Sequence, residues 1–231
     1  MKSIFIIVVG LVCVFCGCQT KVQNLNVKHE QLKFNSTDYE IQIGYPIFSC
    51  DDKATDASCC EFNDKIKKFV TELSDNLKEE AVELFQTFAD KPAERPVWKY
   101  ELMIDDSVFM ADNKFVSVRL SVYAFTGGAH GYTSVHSFNY DVKNQKFLTK
   151  EDILNYTNDD QITSKLKACF KNPDGCFIKE PTLDLVNAIN FDATSVYFMY
   201  EQYVLGPHSC GAAEIVVPRK VLQENILIKL D

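Results

Sequence analysis

The sequence predicts an α+β fold, an antiparallel sheet with one long packed helix and a few short helices. Three observations lead there. Val116, Val118, Leu120, Val122 and Ala124 alternate with Ser117, Arg119, Ser121 and Tyr123, which is the period of a half-buried strand. Phe62, Ile66, Phe69, Val70, Leu73, Leu77, Leu84, Phe85 and Phe88 recur instead at threes and fours, which is one apolar face of a helix. The strand-like runs follow one another through short polar or glycine-rich turns, as antiparallel neighbours do.

The elements follow in chain order. Residues 39–48 alternate weakly around Pro46 and read as a strand or edge strand. Residues 61–88 form the long helix, ended by Lys91-Pro92 and Arg95-Pro96. Trp98, Tyr100, Leu102 and Ile104 share one side of the next strand. Residues 115–125 and 132–142 pair as a hairpin. A polar turn at 141–146 precedes a short helix over 149–155, with Thr149 as its candidate N-cap. Residues 161–170 suggest another helix. The aromatic-dense run 196–204 suits a central strand. Residues 213–217 are a further strand, and Pro218 opens a terminal helical turn.

The first residues point to export. Lys2 precedes an apolar run, Ile4 to Phe15, that is too short to span a bilayer and matches a signal-peptide core. The run ends in Gly17-Cys18 and resembles a bacterial lipoprotein signal. That resemblance implies cleavage after residue 17 and a lipid on Cys18, anchoring through buried methylenes. Residues 18–35, polar and weakly periodic, read as a tether between membrane and domain. No later run is long enough to cross a membrane.

The formal net charge of −8 argues against nucleic acid, which is bound by neutralising phosphates. It favours basic partners through faster encounter. Outside the leader six cysteines remain: Cys50, Cys59, Cys60, Cys169, Cys176 and Cys210. An even number in an exported chain suggests disulfides. Cys169 and Cys176 bracket a turn-forming Asn-Pro-Asp-Gly and are the first pair expected. Cys50 with Cys59 or Cys60 is next, leaving the other to reach Cys210. The spacing does not match zinc modules, and no metal or cofactor is expected.

Tyr123-Ala-Phe-Thr-Gly-Gly-Ala-His-Gly131 is the most informative stretch. It sets three glycines and His130 at the tip of the predicted hairpin. Small tip residues allow a partner, or the protein's own backbone, to come close. His130 serves as a structural hydrogen-bond partner, a binding group or a general base. The structural reading has its ring hydrogen-bond a neighbouring loop, Gly206-Pro207-His208. A catalytic reading would enlist His136, His208 and Asp141. No nucleophile elbow, phosphate loop or HExxH pattern supports one.

These pieces together resemble a bacterial family. Its paired domains occur in the extracellular region of the lysozyme-sensing anti-sigma factor RsiV and beside some peptidoglycan deacetylases. The resemblance rests on Tyr45-Pro46, then Asn63 and Ile66, then the Gly127-Gly128-Ala129-His130 hairpin. It continues through Tyr140-Asp141, Leu148 and Asp152, and ends with Tyr200, Gly206-Pro207, Gly211 and Pro218. It implies an N-terminal half over 36–137 and an intimately packed C-terminal half over 138–231. It also implies a candidate binding or structural surface made by Gly127, Gly128, His130 and Tyr132 with Tyr200, Gly206 and His208. No deacetylase segment or membrane-spanning helix follows, so neither the deacetylase nor the anti-sigma role is expected here. The leading expectation is a lipid-anchored envelope protein, facing outside the cytoplasm, that binds lysozyme or a peptidoglycan fragment. An envelope-glycan hydrolase or deacetylase-associated enzyme using His130 and a purely structural lipoprotein are the alternatives.

Overall fold

The computed structural model describes residues 24–49 and 53–229, with side chains undescribed at 53–56. Among them, nine strands form two sheets. The first sheet runs in chain order: β1 (Asn26–Asn35), β2 (Tyr39–Ser49), β3 (Tyr100–Ala111), β4 (Phe115–Phe125), β5 (Tyr132–Asp141) and β6 (Lys146–Phe147). The second holds β7 (Ala188–Phe191), β8 (Ser195–Tyr200) and β9 (Ala213–Pro218), with β8 central. The expected α+β class stands, with one long helix and several short ones.

The single sheet expected is two, the long helix begins at Lys53 and not at 61, and three details of the first sheet also differ from the sequence reading. First, residues 26–35, expected within a tether, form β1 and pair with β2 along their whole length. Only Val27 and Leu32 of β1 are partly buried against the core. An edge strand with one wet side and charged residues looks like a linker in sequence. Second, β2 is not at an edge, because β1 covers it. Third, β2 and β3 are parallel, whereas a purely antiparallel sheet was expected. The long helix α1 (Lys53–Gln86) lies between them in sequence, and a crossover of that kind can return the chain in the same direction.

The helix packs as its periodicity demands. Phe62, Ile66, Val70, Leu77, Ala81 and Phe85 are buried against the sheet. Phe62 meets the rings of Phe48, Tyr140 and Phe147 at 5.2, 5.9 and 5.8 Å. Burying such a side chain contributes about 1.5–3 kcal/mol. Asn63 ties the helix to β2, since its Nδ2 donates to the Phe48 carbonyl and its Oδ1 accepts from the Phe48 N–H. Both bonds satisfy backbone groups that the sheet leaves open.

A second core forms under the small sheet. Ile162 and Leu166 of α3 (Asp159–Cys169) pack in it with Phe191, Phe198, Tyr200, Ile215 and Val217. Thr149 caps the short helix α2 (Lys150–Ile153) in a reciprocal capping box with Asp152. The first core extends to Phe147. The boundary expected between 137 and 138 lies within β5.

The two sheets are locked by buried polar groups. The Ser117 hydroxyl donates to Asn139 Oδ1 at 2.7 Å and accepts from Asn190 Nδ2 at 3.1 Å and from the Phe191 N–H at 3.2 Å. Asn139 Nδ2 donates to the Ile189 carbonyl and Asn190 Nδ2 to the Val118 carbonyl. These side chains are almost fully buried, and the network pairs them with one another and with the backbone. Ser117 lies on the side of β4 that the alternation assigned to solvent; the second sheet covers it.

Candidate functional site

Between β4 and β5 the chain turns through Gly127 at φ +101° and Gly128 at φ +97°, a region that side chains resist. A Cβ on Gly127 would stand 2.8 Å from the Trp98 ring, and one on Gly131 would stand 2.4 Å from the Tyr123 ring. The close approach expected at the small-residue tip is therefore made by the protein's own aromatic rings.

His130 projects from this tip and is exposed. Its Nδ1 lies 3.0 Å from the Gly131 carbonyl, which can only accept, so Nδ1 carries the proton in the neutral ring. Nε2 is then an acceptor and takes the Tyr203 hydroxyl at 3.3 Å. The imidazole of His208 stacks on that of His130, with centroids 4.0 Å apart and planes 25° apart. Tyr203 tilts against His208 at 5.4 Å. The hairpin tip meets the late segment by stacking on His208 and through the Tyr203 hydroxyl, not by the expected hydrogen bond from His130 to Gly206-Pro207-His208.

Glu201 joins the same two segments one step further in. Its Oε1 accepts the Val135 N–H at 2.8 Å, and its Oε2 accepts the Tyr132 hydroxyl at 3.0 Å and Asn187 Nδ2 at 3.3 Å. Gln202 Oε1 accepts the Thr133 N–H at 3.2 Å. Partial burial, reinforced by the Glu201 carboxylate, pushes the Tyr132 phenol above its usual range. Glu201 and Tyr203 were not singled out in the sequence. The available signal was the polar break that follows the aromatic run of β8.

Other expected site residues lie elsewhere. Tyr200 is fully buried in the second core, where its hydroxyl donates to the Thr182 carbonyl at 3.1 Å. Burial holds its phenol far above the usual range. Gly206 packs on a disulfide, 3.1 Å from the Cys176 carbonyl and 3.2 Å from Cys210 Sγ, measured from the position a Cβ would take. His136 sits on the long-helix side with its ring 4.8 Å from Phe69, its Nε2 3.0 Å from the Ser134 hydroxyl, and its pKa lowered by burial. Asp141 accepts from the backbone N–H and side-chain amide of Asn144, closing the turn after β5. The histidine–aspartate pairing of the catalytic reading is not among the hydrogen bonds of the described residues. Nor do three or more His, Cys, Asp or Glu side chains gather there in a metal-binding group.

The cysteine pairing needs correction. Cys176 bonds to Cys210 with Cα atoms 5.7 Å apart, and Cys169 is a free thiol. The expected Cys169–Cys176 loop is closed by an amide instead of sulfur: Asn172 accepts the Phe177 N–H and donates to the Phe177 carbonyl. Cys176 pins the segment carrying His208. Cys59 is disulfide-bonded and Cys60 is an exposed free thiol, so neither reaches Cys210. Cys18 and Cys50 lie outside the described residues.

Residues 32–133 match the family model described as Deacetylase PdaC. This match agrees with the expected resemblance to domains found beside peptidoglycan deacetylases. The chain is 24% identical over 136 residues to the peptidoglycan-N-acetylmuramic acid deacetylase PdaC of Bacillus subtilis (strain 168). That alignment covers 59% of this chain and 26% of the relative, so the chain spans about a quarter of its length. The fold is shared with a DUF3298 family structure from Bacteroides fragilis, at TM-score 0.64 and 18% identity, over 88% of this chain and 95% of that one. A second DUF3298 family structure, from Pseudomonas aeruginosa, gives TM-score 0.59 at 18% identity over the same shares.

Proposed function

We propose that this chain is a lipid-anchored binding protein of the bacterial cell envelope, and that its ligand is a basic protein of the lysozyme type. The observation that carries the binding reading is the cluster of His130, Tyr203, His208 and Tyr132. These rings meet solvent at an open surface, yet stacking, hydrogen bonds and the Cys176–Cys210 bond hold them. Pre-ordered aromatic rings are what protein interfaces use as anchors, because little entropy is lost when they are covered. A catalytic site would instead need a general base beside an acid or nucleophile around a bound substrate. The net charge of −8 supports a basic partner, and the resemblance to the lysozyme-sensing domain supplies its class. The anchor is the lipid proposed on Cys18.

A second reading takes a peptidoglycan fragment as ligand, favoured by the name of the Bacillus subtilis relative. One titration separates the two. The purified protein is titrated with a lysozyme, with an equally basic unrelated protein and with soluble muropeptides, at low and high salt. Salt screens long-range attraction, with a Debye length of about 8 Å near physiological ionic strength. The proposal expects lysozyme binding to weaken at high salt but persist. Equal binding to the basic control, or complete loss at high salt, would mean charge attraction alone. Muropeptide binding without lysozyme binding would select the second reading. No binding to any of the three would leave the structural-lipoprotein alternative.

A further inference from the structure

Two residues just after β8 have properties that packing does not require. Tyr203 has φ +68°, in the left-handed region that bulky side chains avoid and that persists only where the surroundings hold it. Its side chain is nevertheless 51% exposed, so the strain does not serve to bury it. The strain does place the ring beside the imidazole pair, where the Tyr203 hydroxyl bonds to His130. Glu201, two residues earlier, holds a carboxylate at the same surface, against the hydroxyl of Tyr132, itself 42% exposed. Its three hydrogen bonds come from a backbone N–H, a phenol and an amide, out of about four that a carboxylate can accept. None of these donors is charged; Lys150 and His136 feel the carboxylate only at longer range.

A carboxylate bonded to one exposed tyrosine and two residues before another supplies both elements that recognise a flat cation, an acceptor and an aromatic ring. A guanidinium stacks flat on a ring and presents its N–H fork to a carboxylate, while an ammonium is a compact point charge that offers neither the flat face nor the fork. We propose that Tyr203 and Glu201 form a receptor for an arginine side chain on the surface of a basic protein partner, the guanidinium lying on the tyrosine face and bonding to Glu201. The receptor rests on the binding reading above and states what that surface selects. His130 acts as the positioning residue, because its Nε2 fixes the Tyr203 hydroxyl and so the plane of the ring.

The test uses the purified protein with three probes: an arginine nonapeptide, a lysine nonapeptide, and a lysozyme before and after its arginines are blocked with a dicarbonyl reagent. Tyr203→Gly and Glu201→Gln are compared with the wild type by calorimetric titration and thermal melting. Glycine accepts φ +68° without strain, so Tyr203→Gly is expected to melt no lower than the wild type while losing about tenfold or more in affinity. Glu201→Gln keeps an oxygen for the Val135 N–H and is expected to lose affinity similarly. A lower melting temperature for Tyr203→Gly would make Tyr203 structural and overturn the receptor. Equal binding of arginine and lysine peptides would overturn it too, as would unchanged affinity in both variants. If lysozyme binding survives arginine blocking and both substitutions, the receptor falls while the lysozyme reading stands. Should the arginine peptide bind selectively and lysozyme not, the receptor stands and the lysozyme reading falls. Binding by neither removes both.

Discussion

The two sheets are held together by different means. In the first sheet, β1 to β5 are 10–12 residues long, and a 34-residue helix covers one face. Long ladders and a continuous apolar stripe suffice there. The strands of the second sheet have only 4–6 residues. Its order depends on rings in a compact core, on the Ser117–Asn139–Asn190 lock to the first sheet, and on the Cys176–Cys210 bond. Short strands contribute few ladder bonds, so cross-links from outside the ladder take a larger share of the stability. The candidate site stands where the two constructions meet, with a hairpin tip from the first and a disulfide-pinned loop from the second.

The disulfide offers the largest way to break this comparison. Replacing Cys176 and Cys210 together with serine frees a loop of sequence separation 34 and should cost about 2–4 kcal/mol. Amide exchange is expected to rise around 176–211 and stay slow in β4 and α1. Uniform loss of protection across both sheets would show that they unfold as one unit and that the contrast drawn above has no energetic counterpart.

Asn190→Ala should follow, at about 1–3 kcal/mol, the range for leaving buried polar partners unpaired. Here the Val118 carbonyl and the Ser117 hydroxyl lose a donor. Urea titration would measure it. A Ser117→Ala change combined with Asn190→Ala should cost less than the sum of the two, because both remove the same network. Strict additivity would mean the network does not act as a lock.

The smallest effect is a pH slope belonging to the first sheet. Burial lowers the pKa of His136 from its ordinary value of 6.5, with Glu201 opposing. The unfolded chain therefore binds more protons than the folded one between the lowered value and 6.5. The His136 contribution is complete above that window and is lost as pH falls through it. Melting temperatures of wild type and His136→Gln between pH 7.5 and pH 5 should diverge, with the wild type falling more steeply. Parallel curves would show that His136 does not titrate differently on folding.

Local patterns in the sequence determined much of this protein. The β4–β5 hairpin with its glycine tip, the apolar stripe of α1 and the Thr149 cap each follow from spacing alone, because neighbours in sequence satisfy them. That His130 meets the Gly206–His208 region was expected from the structural reading of His130, though as a hydrogen bond and not as the ring stack found. Tertiary structure decided the rest. β1 is a strand only because β2 offers it a ladder. Parallel β2–β3 pairing depends on where α1 returns the chain. Ser117 is buried only because a second sheet arrives on its face. Cys176 pairs with Cys210 and not with Cys169, nearer in sequence, while Asn172 closes the local turn. Tyr203 and Glu201 acquire a role from partners at His130 and Tyr132, about seventy residues away in sequence. Such partners follow from chain crossings and long-range packing, which no local period or spacing records.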